Sequence, residues 1–253
     1  MNPEQVRGAF HRKLSTFLPL TNAEVNCIEA MQKKVKVMEA GSALVREGDA
    51  YQQIFMVEDG WAMRFKTLSD GRRQILNFVL PGDFVGLFSP LFETADHSVS
   101  ALTDLTVHPV EPAYIVKLFA SSSRLGAALA WSAGRDEALL SEQVVRVGRR
   151  SAYERTGHIM LELLHRLRLV GEAGQRSFEM PLTQEMLADT LGLSIVHVNR
   201  TLRRLRENGL LHFSGDRLII DDMEKLASIA EFSPQYLTPD TLPQQTANTI
   251  AST

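Results

Sequence analysis

The sequence predicts an α+β chain in three parts: an N-terminal β-barrel or sandwich, one long helix, and a helix-turn-helix followed by a wing. Three observations predict it. Short β-favouring runs separated by turn residues fill much of the first half. A proline-free stretch then runs over residues 124–148, and two short amphipathic helices further on meet at Gly192. The expected divisions are 1–123 for the β-domain with its flanking helices, 124–148 for the long helix, 149–232 for the helix-turn-helix domain and 233–253 for a flexible tail.

Residues 2–33 have a helical pattern broken at Pro19, and Thr21-Asn22-Ala23-Glu24 has the spacing of a capping box. From Val35 the period changes. Strands are expected over 43–46, 53–57, 61–66, 74–80, 99–102 and 105–110. Between them lie Glu47-Gly48-Asp49, Asp59-Gly60, Ser69-Asp70-Gly71 and Pro81-Gly82-Asp83, each containing a residue type that tolerates positive φ or presets a bend.

A helix over 124–148 would be roughly 36 Å long, more than a domain of this size needs for its own core. Leu125, Ala128, Leu129, Ala133, Leu140, Val144 and Val147 form an apolar stripe on it, interrupted by Asp136 and Gln143 and with Trp131 off its line. The stripe is expected to pair with a second copy, making a homodimer. Gly148-Arg149-Arg150-Ser151 has the composition of a hinge, and a further helix is expected over 152–169.

The segment 183–206 carries the chemistry. Thr183 is placed to cap one helix, whose buried side is Met186, Leu187 and Leu191, and Ser194 to cap a second, which turns Val198, Leu202 and Leu205 inward. Gly192 separates them, and Ala188 permits close crossing. The outward face of the second helix bears His197, Asn199, Arg200, Arg203 and Arg204, donors and acceptors suited to base edges and phosphates. Because the N-terminal turns of a recognition helix enter the major groove, His197, Asn199 and Arg200 are the candidate base readers. Arg203, Arg204 and Arg206 are placed for phosphates or for pairing with Glu207, and Thr183 and Gln184 for a phosphate at the first helix. Residues 210–213, the turn Ser214-Gly215-Asp216 and residues 217–220 read as the wing hairpin.

At these residues the chain resembles the Crp/Fnr superfamily of transcription regulators, over about residues 14–220. The β-domain match is carried by Gly41-Ser42-Ala43-Leu44-Val45-Arg46-Glu47-Gly48-Asp49, Ile54-Phe55-Met56-Val57-Glu58-Asp59-Gly60 and Pro81-Gly82-Asp83-Phe84-Val85-Gly86. The DNA-reading match is carried by Leu182-Thr183-Gln184-Glu185-Met186-Leu187-Ala188 and Leu191-Gly192-Leu193-Ser194 through Val198-Asn199-Arg200. The resemblance implies a cyclic-nucleotide-binding-like jelly-roll, a dimerisation helix and a winged helix-turn-helix, with a palindromic duplex DNA site and RNA polymerase as partners. It also implies an effector pocket around Gly86, Leu87, His97, Ser98, Gln143 and Val144.

Two departures bear on that pocket. Where the family's cyclic-nucleotide binders follow the glycine with a glutamate for the ribose, this chain has Leu87, and where they place Arg-Ser against the cyclic phosphate it has His97-Ser98. Leucine accepts no hydrogen bond, and histidine carries only a fractional charge near neutral pH. Cyclic AMP is therefore not expected to bind tightly, and no cofactor is predicted. In the recognition helix Ile195 and Val196 replace the family's usual charged pair, either to touch thymine methyl groups or to pack.

Composition closes off other classes. The net charge of −3 over 253 residues means that DNA binding must rest on a local basic surface. The single cysteine, Cys27, lies at an apolar helical position and excludes a disulfide framework, a zinc ribbon or a four-cysteine cluster held by one chain. His97, His108, Met63 and His11 are residue types that can ligate haem, which keeps a nucleotide- or haem-sensing module as the alternative function, although lone histidines in β-domains are mostly surface or hydrogen-bonded residues. His158 and His165, seven residues apart on one helix face, are too far apart for a direct metal pair, and no metal site is expected. No nucleophile–base spacing or phosphate loop appears, so an enzyme is not expected. No signal segment or bilayer-length apolar run is present, which points to the cytoplasm without membrane association.

Overall fold

A computed structural model describes residues 8–237 together with Gln245, Thr249 and Ile250. Two helices come first, α1 (Ala9–Ser15) and α2 (Asn22–Met31). Thr21 caps α2 reciprocally: its hydroxyl accepts from the Glu24 amide, while the Glu24 carboxylate accepts from the Thr21 amide.

Eight strands follow: β1 (Lys36–Met38), β2 (Ala43–Val45), β3 (Ile54–Asp59), β4 (Ala62–Thr67), β5 (Arg73–Val79), β6 (Phe84–Val85), β7 (Ser98–Ala101) and β8 (Leu105–Val110). They form two antiparallel four-stranded sheets, ordered β1-β8-β3-β6 and β2-β7-β4-β5. The resulting jelly-roll has two buried layers because β4 and β5 are covered on both faces. Ala62 and Val79 turn into the roll, whereas Met63, Ile75 and Phe78 turn outward. Opposite Arg64 stands Asn77, and opposite Phe65 stands Ile75, so Leu76 is bulged between them.

Beyond the roll lie α3 (Pro112–Ser121), α4 (Ser123–Gly148) and α5 (Ala152–Leu169). Leu125, Ala128 and Leu129 of α4 are fully buried in the chain's own core with Phe10, Ile28 and Ile115. They are therefore not part of an intermolecular stripe. Apolar periodicity marks a helix that is covered, but does not say which neighbour covers each face. On the exposed face, Ala130, Gly134, Glu137, Ser141, Val144 and Gly148 recur at alternating steps of four and three residues. Trp131 stacks on Phe17.

The remaining elements are β9 (Ser177–Glu179), α6 (Gln184–Leu191), α7 (Ile195–Glu207), β10 (Leu211–Ser214), β11 (Arg217–Ile220) and α8 (Met223–Ile229), with β9, β10 and β11 forming a three-stranded sheet in the order β10-β11-β9. The core of this region is continuous with the outer face of the roll: Trp61, Met63, Ile75, Phe78 and Leu80 pack in one cluster with residues of α5, α6 and α7. A buried ion triad reinforces the joint. Asp83 accepts from Arg166 at 2.7 Å and from Lys13; burial pushes its carboxyl up, but the two cations outweigh that and hold it down at about 2.

The first residues assigned to a flexible tail are instead docked. Pro234–Tyr236 forms a 3₁₀ turn, the Tyr236 hydroxyl donates to Glu162 at 2.8 Å, and Arg135 donates to the Tyr236 carbonyl. Phe232, Tyr236 and the His158 ring pack face to edge or stacked, so aromatic burial anchors a segment whose polar composition hides it. The rest of that tail, 238–253, lies outside the described residues except at the three positions named above.

Candidate nucleic-acid interface

Local sequence builds the interface. Thr183 caps α6 by accepting from the Met186 amide at 3.2 Å, and Ser194 caps α7 by accepting from the His197 amide at 3.3 Å. Gly192 lies between them at φ +63°, ψ +40°, a left-handed conformation that ends α6 and redirects the chain into α7. Val198, Thr201 and Leu205 bury the inner face of α7, and Ala188, 6% exposed, lets α6 cross close to it.

The opposite side of α7 faces a groove of about 750 Å³ closed on its far side by the β10–β11 hairpin. Asn199, Arg200, Arg203 and Arg206 line it from the helix, Gln184 from the start of α6, and His212, Phe213 and Asp216 from the wing. Val196 belongs to the same face and is 68% exposed; Ile195 beside it is 45% exposed. Of the two readings the sequence allows for this pair, packing into the core is thereby removed. His197 and Arg204 are exposed but do not line the groove, since their positions on the helix turn them toward its flank, where the Arg204 guanidinium lies 4.7 Å from the Tyr153 ring. Arg203 pairs with Glu207 at 2.7 Å. The hydroxyl oxygens of Thr183 and Ser194 are occupied by their caps.

Groove residues can therefore be sorted by chemistry. Arg200 and Asn199 offer side chains that pair bidentately with guanine and adenine edges, Val196 offers methyl groups, and Arg203 and Arg206 offer charge for phosphates.

A second cleft, of about 650 Å³, opens between the roll and α4. Gly86, Leu87 and His97 line it; Ser98, Gln143 and Val144 do not. The Ser98 hydroxyl instead accepts from the Glu47 amide, and Gln143 is buried with its amide donating to the Thr190 and Ile75 carbonyls. Val144 is 69% exposed. The α4 contribution to the cleft comes one to three turns earlier, from Ser132, Ala133, Asp136, Glu137 and Leu140, because the end of α4 packs against β5 and, through Gln143, against Thr190 of α6. Leu87 is only 8% exposed and belongs to the core beneath the cleft. Burial and Arg64 push the His97 imidazole down more strongly than Asp96, 2.6 Å away, pulls it up. The downward shift leaves it mostly uncharged near pH 7.

The remaining ligand candidates do not converge. Met63 turns outward into the core around α5, while His108 is held by the Lys34 carbonyl and by Glu58. His158 is buried against Arg146 and Glu142. Cys27 is half-buried against the core that the helices form with the roll.

Residues 35–122 match the family model described as the cyclic nucleotide-binding domain, and residues 154–229 match the Crp-like helix-turn-helix domain. The chain belongs to the Crp/Fnr family of transcription regulators. Among Crp/Fnr relatives, the transcriptional activator protein FnrL of Cereibacter sphaeroides is 29% identical over 77% of this chain and 79% of its own. The nitrogen fixation regulation protein FixK of Bradyrhizobium diazoefficiens is 28% identical over 83% and 87%. The solved structure of FixK2 from Bradyrhizobium japonicum superposes with a TM-score of 0.72 at 25% identity, covering 79% of this chain and 98% of that one. These Crp/Fnr proteins are regulators rather than enzymes, and this chain is a DNA-binding regulator of the same type. No helix among its described residues is long and apolar enough to cross a membrane.

Proposed function

We propose that this regulator works in the cytoplasm as a homodimer that places two copies of α7 in successive major grooves of a twofold-symmetric DNA site, with RNA polymerase as a further partner. The observation that carries the reading is the groove between α7 and the wing, where Val196, Asn199, Arg200 and Arg203 share one exposed face. Phosphate contacts from Arg203 and Arg206 fix register, and the other three read bases. His197 and Arg204, on the flank, take a secondary part.

Dimerisation is assigned to the exposed face of α4. Its four-three repeat through Ala130, Gly134, Glu137, Ser141, Val144 and Gly148 has the period that keeps one seam against a partner helix, and its small residues permit close approach. Two recognition helices must then stand about 34 Å apart. Cyclic AMP is not the ligand, because Leu87 and a neutral His97 occupy the positions that would hold it. A module acting mainly through ligand binding is the less favoured reading, because the basic α7 face would then have no role.

Selection of bound sequences from random duplex DNA tests the proposal, combined with sedimentation of the free and bound protein. A palindrome with half-sites one helical turn apart, bound by two chains, is the expected result. Recovery of no enriched motif, or binding by a single chain, overturns it.

A further inference from the structure

The cleft between the roll and α4 has a cation at its floor that the family resemblance does not supply. Arg64, on β4, points into the roll and lines the cleft with only 9% of its surface exposed. Its guanidinium is poorly satisfied. Nη1 stands 3.5 Å from the Asp136 carboxylate, Nη2 stands 3.5 Å from the Phe84 carbonyl, both at the outer limit of hydrogen bonding, and Nε has no partner among the described residues. Ser89 lines the same cleft and is 4% exposed, and its hydroxyl also lacks a partner among the described residues. Buried donors are ordinarily paired, and a buried guanidinium with idle N–H groups is a donor site for a planar anion.

The rest of the cleft selects among anions. Phe88, Phe92 and Leu140 line it while remaining 37%, 64% and 36% exposed, so its rim is apolar and aromatic. Asp96, Asp136 and Glu137 also line it, and His97 there is neutral. Three carboxylates facing one arginine disfavour a dianion such as phosphate and tolerate a single negative charge delivered to the floor, where screening is weakest. The cleft lies within the size range of small-molecule sites.

We infer that Arg64 anchors the carboxylate of a small organic monoacid whose apolar body lies between α4 and the Phe88–Phe92 rim. This deepens the regulator reading and rests on it for its consequence: the cleft abuts Ala130, Gly134 and Glu137, on the proposed dimer face, so an occupied cleft stiffens the face that sets the spacing of the two recognition helices.

Calorimetry on the full-length protein tests the inference with phenylacetate, octanoate, inorganic phosphate and cyclic AMP as probes. Saturable binding of phenylacetate or octanoate, at least tenfold tighter than phosphate or cyclic AMP, is expected. Arg64→Gln should weaken it at least tenfold and Phe92→Glu severalfold, while Asp136→Asn, which removes the competing carboxylate, should tighten it. That opposite sign separates anion capture from a merely structural Arg64, whose partner's removal would bring no gain. If Arg64→Gln does not fold, the exposed Phe92→Glu and the Asp136→Asn variant carry the test. No saturable carboxylate binding, equal binding of phosphate, or variants that bind as the parent does would overturn the inference. DNA binding is measured separately on the same samples, so loss of the regulator reading is seen independently of the heats.

Discussion

The side-chain amide of Gln143, near the end of α4, donates a 2.6 Å hydrogen bond to the carbonyl oxygen of Thr190, in the first helix of the helix-turn-helix. The same carbonyl accepts from Gln74 of β5 at 3.2 Å, and the neighbouring Asp189 pairs with Arg73 at 2.7 Å. One turn of α6 is thereby tied both to β5 of the roll and to the long helix. Substituting Gln143→Leu removes the shorter bond and leaves the Arg146 guanidinium without one of its acceptors. A loss of about 1–3 kcal/mol is expected. Urea unfolding monitored by tryptophan fluorescence checks it: the midpoint should fall with the slope unchanged.

His158 gives the joint a dependence on pH. Its Nδ1 accepts from Arg146, and burial with the nearby charges of Arg146 and Arg150 pushes the imidazole down to about 2. An unfolded histidine titrates near 6.5, so the unfolded state binds the proton and the folded state does not. The stabilisation is complete above that pH and is lost as pH falls below it, by up to about 1.4 kcal/mol per pH unit. Denaturation curves at pH 7.5, 6.0 and 5.0 should show this decline in the parent protein and a shallower one in His158→Gln.

Much of this organisation is legible in the sequence, and what is not has physical reasons. The caps at Thr21, Thr183 and Ser194 are local, fixed by a hydroxyl and a backbone amide a few residues away, and the chain announces them. The roll is legible because turn residues punctuate it, although β1 and β6, three and two residues long, are too short to show a period. The misplaced features depend on distant partners. Gln143 reads as a pocket residue or a flaw in a stripe until Thr190, 47 positions later, is brought against it. Arg64 draws no expectation of its own within the strand 61–66, and only the closure of the roll makes its side a buried one. Nothing in the local composition of residues 233–237 signals that Glu162 and Arg135 await Tyr236.

Tyr236 offers a direct check on that docking. Burial, followed by the charge of Glu162, pushes its phenol up, so it remains a donor throughout the working pH range. Tyr236→Phe keeps the ring stack on His158 and removes only the bond to Glu162, the carboxylate that is ion-paired with Arg146. A destabilisation of about 1.5–3 kcal/mol is expected for a hydrogen bond to a charged group. Thermal melts of the two proteins at pH 7.5 measure it.

Val196 tests how the groove chooses its sequence. Its exposed methyl groups, on the face shared with Asn199 and Arg200, suit thymine C5-methyl groups in the major groove. Val196→Glu replaces that preference with a hydrogen-bond acceptor suited to cytosine N4. Selected sites should change at one symmetric position in each half-site while the other positions persist, with little effect on stability because the side chain is exposed.

Arg200, exposed in the groove, is assigned to read a base rather than to serve as a surface charge. The measurement that addresses it most directly is titration of the parent protein and Arg200→Ala, at fixed salt, against the selected palindrome and against random duplex of the same length. A bidentate contact to guanine contributes about 1–3 kcal/mol of discrimination. The palindrome should therefore lose about 5- to 150-fold in affinity per half-site, while the random duplex changes far less. Equal losses on the two DNAs would show that Arg200 contacts only the phosphate backbone, and would contradict its base-reading role.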